Sequence, residues 1–327
     1  MVLWVIAVLS VVVFEFGFAM RTEVSLAKNF KEEMELYAIG EGGVQRAITE
    51  LVYKHDTRVQ QVRKSMTAEE IPQEQKEWIT DGRSYAFPVG QGQCDIRIMG
   101  EGGKISLNQV SDNMLRKIMG QFGLEGEAKD VVVDSILDWR DSDDLYRING
   151  AENDYYQSLK EPYSCKNGNF DSVEELLLVR GVTQSLFYGG KNSTESELES
   201  KEKRIGLKDI FSIYATGEQV DINSATASTL RFVLGISSEM AQRIAKTREE
   251  KPILNERDLL NRVPELSSVI AQIRNFILYQ SSLSFYTLES RANSKDGRAV
   301  RGLKAIVKID PKEKEGYKIV QWVDALM

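Results

Sequence analysis

The alternation of apolar and polar positions divides the chain into a rod, a strand-rich frame and a helical block set within that frame. Val2 to Phe14 carries no charge, and Glu15 alone interrupts the apolar character before Arg21. Roughly 20 apolar residues in a helix cross a hydrocarbon core, so residues 1–20 read as a transmembrane segment. From Arg21 the helical period continues in amphipathic form, with Ala27, Phe30, Met34, Tyr37, Val44, Ile48 and Leu51 at spacings of three, four or seven. No proline falls between Met1 and Arg63, so one continuous helix is expected, loosened at Gly40, Gly42 and Gly43.

From Gly82 the period shortens to two. Ser84–Val89 and Cys94–Met99 predict strands around the turn Gly90-Gln91-Gly92, and Leu283–Glu289, Arg298–Ile309 and Tyr317–Trp322 predict three more near the end. Residues 106–281 between them read as helical. Strands flanking a helical block are most simply one antiparallel sheet completed by both ends of the chain. The expected fold class is therefore α+β: a long N-terminal helix packed on a small antiparallel sheet, interrupted by a large inserted α-helical domain. The expected divisions are residues 1–20 for the span, 21–105 for the amphipathic helix and first strands, and 106–190 for a first helical unit. A linker at 191–205, where Lys191 to Lys203 is polar, precedes a second helical unit at 206–281 and the last strands at 282–327.

The helical block repeats itself. Ser106-Leu107-Asn108, followed by Leu115, matches Asp221-Ile222-Asn223, followed by Leu230; further on, Phe170–Leu177 resembles Ile253–Leu260. Each copy opens on short polar residues able to accept bonds from free amides of a first turn: Asn108 or Ser111 in one, Asn223 or Ser224 in the other.

Composition narrows the chemistry. Hydrophobic residues at 42% and charged residues at 28% fit a folded chain, whereas a single histidine, His55, and two cysteines, Cys94 and Cys165, exclude a four-ligand His/Cys zinc site and an iron–sulfur cluster. No catalytic triad is available except one built on His55, which stands among charges at the end of the amphipathic stripe. Cys94 and Cys165 form one disulfide or remain two thiols. The formal charge of −7 disfavours nucleic-acid binding, which depends on neutralising phosphates.

The first repeat differs from the second by an insertion between Trp139 and Phe170. Asp138, Asp141, Asp143, Asp144, Glu152 and Asp154 crowd there, with Arg140 and Arg147 as the nearby cations. Like charges so close raise each other's energy unless solvated or bridged. Two readings stand side by side: a structural calcium site, since calcium takes about 6–8 oxygen ligands in flexible geometry, or a solvated acidic loop. An EF-hand is excluded, because Leu145 falls where an oxygen ligand is required and Gly150 comes too late. Catalysis by a carboxylate pair has only this loop in its favour.

The run from Leu3 to Ile48, with its apolar helix, the Arg21-Thr22-Glu23 that follows and the Ala38-Ile39-Gly40-Glu41-Gly42-Gly43-Val44-Gln45-Arg46-Ala47 segment, resembles the start of the minor pseudopilin K family of the bacterial type II secretion system. The two helical units resemble that family's helix-hairpin-helix or sterile-alpha-motif-like units, which extends the resemblance to almost the whole chain. It implies a non-enzymatic assembly protein at the tip of the secretion pseudopilus, acting in initiation and length control of the fibre. It further implies partners among the other minor pseudopilins, types I and J, and the major pseudopilin, all met through the N-terminal helix. The chain is then single-pass in the inner membrane of a Gram-negative-type bacterium, its C-terminal domain periplasmic. An upstream basic leader ending in glycine, the substrate of prepilin peptidase, is expected. Some members of the family bind calcium; carried over, the resemblance gives Asp141, Asp143, Asp144, Glu152 and Asp154 as candidate calcium ligands.

The competing class is a membrane-anchored DNA receptor. Helix-hairpin-helix units elsewhere hold phosphate at a Gly-hydrophobic-Gly hairpin; here Gly235-Ile236-Ser237 keeps only the first glycine, and Arg180-Gly181-Val182-Thr183 is the other copy's counterpart. Arg243, Lys246 and Arg248 are the available cations, opposed by Glu239, Glu249 and Glu250.

Overall fold

A computed structural model describes residues 1–56, 58, 59, 61, 78–190, 205–282, 284–295, 297 and 300–325; the expected linker at Lys191–Lys203 lies outside them. The N-terminal helix α1 (Val2–His55) is unbroken across the expected junction at Arg21. The strands in chain order are β1 (Asp81–Val89), β2 (Gly92–Gly100), four two-residue strands β3 (Ile105–Ser106), β4 (Phe211–Ser212), β5 (Val220–Asp221) and β6 (Ile277–Leu278), then β7 (Phe285–Asn293), β8 (Val300–Ile309) and β9 (Tyr317–Ala325). The long strands form one sheet in the order β1-β2-β7-β8-β9. Strands β8 and β9 are antiparallel, with a register shift between Ile306 and Val307. The chain divides into two compact units, residues 1–77, 84–97 and 288–327 in one and residues 78–83 and 98–287 in the other.

In the first unit α1 packs on the sheet, chiefly against β8, and buries Leu36, Gly40, Gly43, Val44, Ala47, Ile48 and Leu51. This corrects the stripe read from the sequence. Phe30 and Met34 have the right spacing but are 66% and 51% exposed, because the helix meets the sheet only from Leu36 onward. The glycines also act differently from the loosening expected of them. A Cβ on Gly43 would collide with Cys94 Sγ, and one on Gly40 would stand 2.9 Å from Leu303 Cδ1. Glycine here sacrifices helix propensity to let the backbone approach the strands. Ser290 Oγ then donates to the Gly40 carbonyl at 2.8 Å. Cys94 is buried in β2, Cys165 is partly exposed in the insertion, and both are free thiols, so the disulfide left open by the sequence is not formed.

The second unit holds the repeat. Helices α2 (Asp112–Gln121) and α3 (Gly126–Arg140) belong to the first copy; α4 (Ala227–Leu234), α5 (Ser238–Glu250) and α6 (Glu256–Arg262) belong to the second. Each copy is preceded by a short strand that pairs in parallel with one further along: β3 with β4, and β5 with β6. These bridges lie inside the 106–281 block read as helical; two-residue strands are too short to carry a period. The caps are Ser111, as expected, and Thr226, not Asn223 or Ser224. Asn108 and Asn223 do something else. Asn108 Oδ1 accepts from Phe170 N at 2.8 Å while its Nδ2 donates to the Phe170 carbonyl at 3.1 Å. Asn223 makes the same pair with Ile253, at 2.8 and 2.9 Å, and also donates to the Tyr279 carbonyl at 2.8 Å.

Each asparagine thus clips the beginning of its copy to the chain just before a later helical turn, Val173–Leu178 in the first copy and α6 in the second. Truncation strands a backbone donor and acceptor, so Asn223→Ala is expected to lower stability by about 1–3 kcal/mol. Denaturant titration checks this, and an unchanged midpoint refutes the clip.

Candidate functional site

The acidic insertion is held at its ends by aromatic packing. Trp139, next to last in α3, meets the Tyr156 ring edge-on at 5.1 Å, and Tyr156 meets Tyr163 at 5.3 Å. Arg140 donates to the Leu107 and Val110 carbonyls at 2.9 and 2.6 Å, and Arg180 donates to the Gly150 carbonyl at 2.9 Å. Asp134 accepts from Asn149 N and Nδ2, both at 3.2 Å. Gly150 passes so close to Asp138 that any Cβ there would strike the carboxylate.

Inside this frame Glu152 is 1% exposed, and neither of its carboxylate oxygens has a hydrogen-bond partner. Burial, reinforced by repulsion from Asp138, Asp141, Asp144 and Asp143, pushes Glu152 up to about 7. Asp138, also buried, is pushed up to about 6 by burial against the opposing effect of Arg147. Asp141 is raised by burial and by Asp143; its Oδ1 is buried without a partner while Oδ2 faces Arg147 Nη2 at 3.4 Å. Asn167, in the left-handed region at φ 44°, donates to the Asp143 carbonyl and to Asp144 Oδ1, leaving its own Oδ1 buried and unpartnered.

Of the five candidate ligands, Asp141, Asp143, Asp144 and Glu152 therefore gather in one charged environment. Asp154 is exposed and accepts from Tyr155 N at 2.9 Å. Among the described residues no three Asp, Glu, His or Cys side chains converge tightly enough to hold a metal by themselves. The orphaned oxygens belong to Asp141, Glu152 and Asn167, a carboxylate-plus-amide set that suits a hard cation tolerant of neutral oxygen donors. Asn167 was missed in the sequence. Its one signal is the Asn167-Gly168 pair, which marks a turn rather than a ligand.

The hairpin between α4 and α5 lies against α2. Gly235 caps α4 at φ 71°, and Ser237 caps α5. Lys117 of α2 donates through Nζ to the Val233 and Leu234 carbonyls at 2.9 and 3.3 Å, with its Cε 3.4 Å from where a Gly235 Cβ would stand. Two of the three cations assigned to a DNA backbone are also engaged. Arg243 pairs with Glu265, and Arg248, 3% exposed, is bound to Asp81 Oδ2 and to the Ile222 carbonyl. Only Lys246 of the three remains exposed and unengaged by these contacts. The hairpin therefore does not favour the DNA reading.

The third feature is α1 itself. Its first 30 residues are all exposed, and within Val2–His55 lies a stretch long and apolar enough to cross a membrane, none of it buried among the described residues. It fits an inner-membrane anchor.

Residues 99–188 match the family model for type II secretion system protein K, and residues 215–278 match the helix-hairpin-helix motif. Type II secretion system protein K of Pectobacterium carotovorum subsp. carotovorum is 30% identical over 74 residues, which is 23% of this chain and 23% of the relative. The protein of that name from Aeromonas hydrophila is 30% identical over 120 residues, 31% of this chain and 36% of the relative. The matched stretches thus span only 23% and 36% of those relatives. In fold, the chain is similar to a chain of the GspK-GspI-GspJ complex from the enterotoxigenic Escherichia coli type II secretion system, with a TM-score of 0.60 and 14% identity over 92% of this chain and 99% of that one. Family model, relatives and fold agree with the resemblance carried by the residues, which is to type II secretion system protein K.

Proposed function

We propose that the chain is a minor pseudopilin of the type II secretion system, anchored in the inner membrane by α1, with its folded units in the periplasm, and placed at the tip of the pseudopilus. The observation that carries this is the division of labour within α1. Residues from Leu36 to Leu51 bury one face on the chain's own sheet, whereas the apolar residues before them are left exposed by the described residues. Such a surface needs lipid, neighbouring helices, or both in turn during assembly. An insertion as large as residues 98–287 suits the end of a fibre, where no further subunit must stack upon it. Its two copies, clipped by Asn108 and Asn223, read as paired helix-hairpin-helix-like units serving as a scaffold.

The partners on this reading are minor pseudopilins of types I and J and the major pseudopilin, bound through α1. Initiation and length control of the fibre follow from the tip position, and no catalysis is assigned. The test is co-purification from detergent-solubilised membranes. The full chain is expected to retain its I- and J-type partners, while Phe30→Glu with Met34→Glu, on the uncovered part of α1, weakens the complex at least about tenfold. Recovery of the intact chain in the cytosol, or no association with either partner, would overturn the proposal.

Calcium is the second element of the reading. The buried, unpartnered oxygens of Asp141, Glu152 and Asn167, with Asp143 and Asp144 close by, would hold the ion. A bound calcium supplies positive charge where burial and mutual repulsion now oppose ionisation. Its role is to fix the insertion, not to react.

A further inference from the structure

Arg301 of β8 joins three elements at the point where α1 leaves its sheet, and only 14% of its side chain is exposed. Its Nε donates to Asp324 Oδ1 of β9 at 3.2 Å and its Nη2 to Asp324 Oδ2, so the carboxylate takes two arms of the guanidinium fork and fixes its plane. The third arm reaches α1. Nη1 donates to Glu33 Oε1 at 2.6 Å, and the guanidinium carbon lies 5.2 Å from the centre of the Tyr37 ring, one turn further along the same helix.

Stability does not account for this arrangement. The Glu33 and Asp324 side chains are 58% and 45% exposed, and ion pairs with partners so open to water add little. Their position does account for it. Glu33 stands three residues before Leu36, the first α1 residue buried on the sheet, and the helix from Val2 to Glu33 is about 47 Å long at about 1.5 Å per residue. Rocking by about 10° at this junction moves the far end by about 8 Å, as much as separates two packed helices. A clasp at the fulcrum therefore governs where the uncovered helix points without having to carry the fold. We infer that Arg301 is a positioning residue: oriented by Asp324, it grips Glu33 and Tyr37 and fixes the direction in which the uncovered part of α1 leaves the sheet, so that partner helices meet a surface aligned in advance. Such alignment reduces the ordering cost of association. The inference rests on the reading of α1 as the partner-binding helix, but the direction of the helix can be measured without partners.

The test is a distance measurement by pulsed electron spin resonance on the full chain in detergent. Spin labels are attached at Lys28→Cys in α1 and Arg291→Cys in β7, both exposed positions, with Cys165→Ser removing the partly exposed native thiol. One narrow distance distribution is expected for this parent. Arg301→Met, which keeps bulk against Tyr37, should broaden or shift it by several ångströms, and Glu33→Gln, on an open side chain away from the core, should do so to a smaller extent. Combining the two should add nothing to Arg301→Met alone, because both remove one contact. Melting should stay within about 3 °C of the parent, while co-purification of I- and J-type partners falls several-fold with Arg301→Met. An unchanged distribution in both variants overturns the inference, as does a broadened one with partners retained as in the parent. If Arg301→Met melts far lower, Glu33→Gln decides by the same two readouts. A parent chain that retains neither partner counts against the reading of α1, and the distance measurement then decides the clasp by itself.

Discussion

Adding calcium to the chelated chain in detergent is expected to raise the melting temperature of the insertion-bearing unit by about 5–10 °C at a hundredfold excess over the dissociation constant. A ligand bound only by the native state contributes about 2.7 kcal/mol at that ratio, and 1 kcal/mol moves a domain of 150–250 residues by about 2–4 °C. The effect originates at Glu152, whose two oxygens are buried without partners among four neighbouring carboxylates. Magnesium should do much less, since it demands a near-ideal octahedron and keeps its waters.

The pH dependence follows from the raised values. Glu152 sits at about 7 and Asp138 at about 6 in the folded chain, above their usual 4.5 and 3.8, so the native state holds protons that the unfolded state has released. Without calcium, that stability is fully present below about pH 4 and is lost as pH rises through 6 and 7. Calcium displaces those protons, so its increment grows over the same window. Glu152→Gln should raise the metal-free melting temperature, by removing the unpaired charge, and abolish most of the calcium increment. No calcium shift, or an equal one with magnesium, removes the metal from the reading.

Asp81→Ala should be the most damaging single substitution in the second unit, at about 3–5 kcal/mol, the range for removing one partner of a buried ion pair. The Arg248 guanidinium, 2% exposed, donates to Asp81 Oδ2 at 2.8 Å, and Arg83 donates to the same carboxylate at 2.8 Å. Burial pushes Asp81 upward, but the bonds from Arg83 and the charge of Arg248 overcome it and hold the carboxyl at about 2. Its contribution is present above its unfolded value of 3.8 and lost as pH falls towards 2. Asp81→Asn should keep the shape yet remain destabilising, because Arg248 stays charged and buried. Adding Arg248→Met to Asp81→Ala should recover part of the loss. If the double variant is no better than the single one, the stranded charge is not the cause. The pair also explains why Arg248 is lost to a DNA interface: it fastens the last full turn of α5 to the start of β1.

The repeat shows how far the residues alone reached. Asn108 and Asn223 stand out by their matching surroundings, but only as one of two candidate caps each, beside Ser111 and Ser224, since a short polar side chain before a helix commonly accepts from its first turn. Their partners, Phe170 and Ile253, stand 62 and 30 residues away. Nothing local announces such a bond. Lys117 and Gly235 are likewise far apart in sequence, so the contact of α2 with the hairpin was invisible, whereas its missing second glycine was plain.

By itself the sequence determined the rod, the strands at either end, the repeat and the acidic crowding, because helix period, strand alternation and like-charge density are properties of near neighbours along the chain. Tertiary structure decided where α1 leaves its sheet, which turned Phe30 and Met34 outward and made contact residues of Gly40 and Gly43. It also decided which oxygens of the insertion lack partners, singling out Glu152, adding Asn167 and leaving Asp154 in solvent. Burial and pairing are sums over groups that only folding brings together, and those sums, more than residue type, set the energy of a carboxylate.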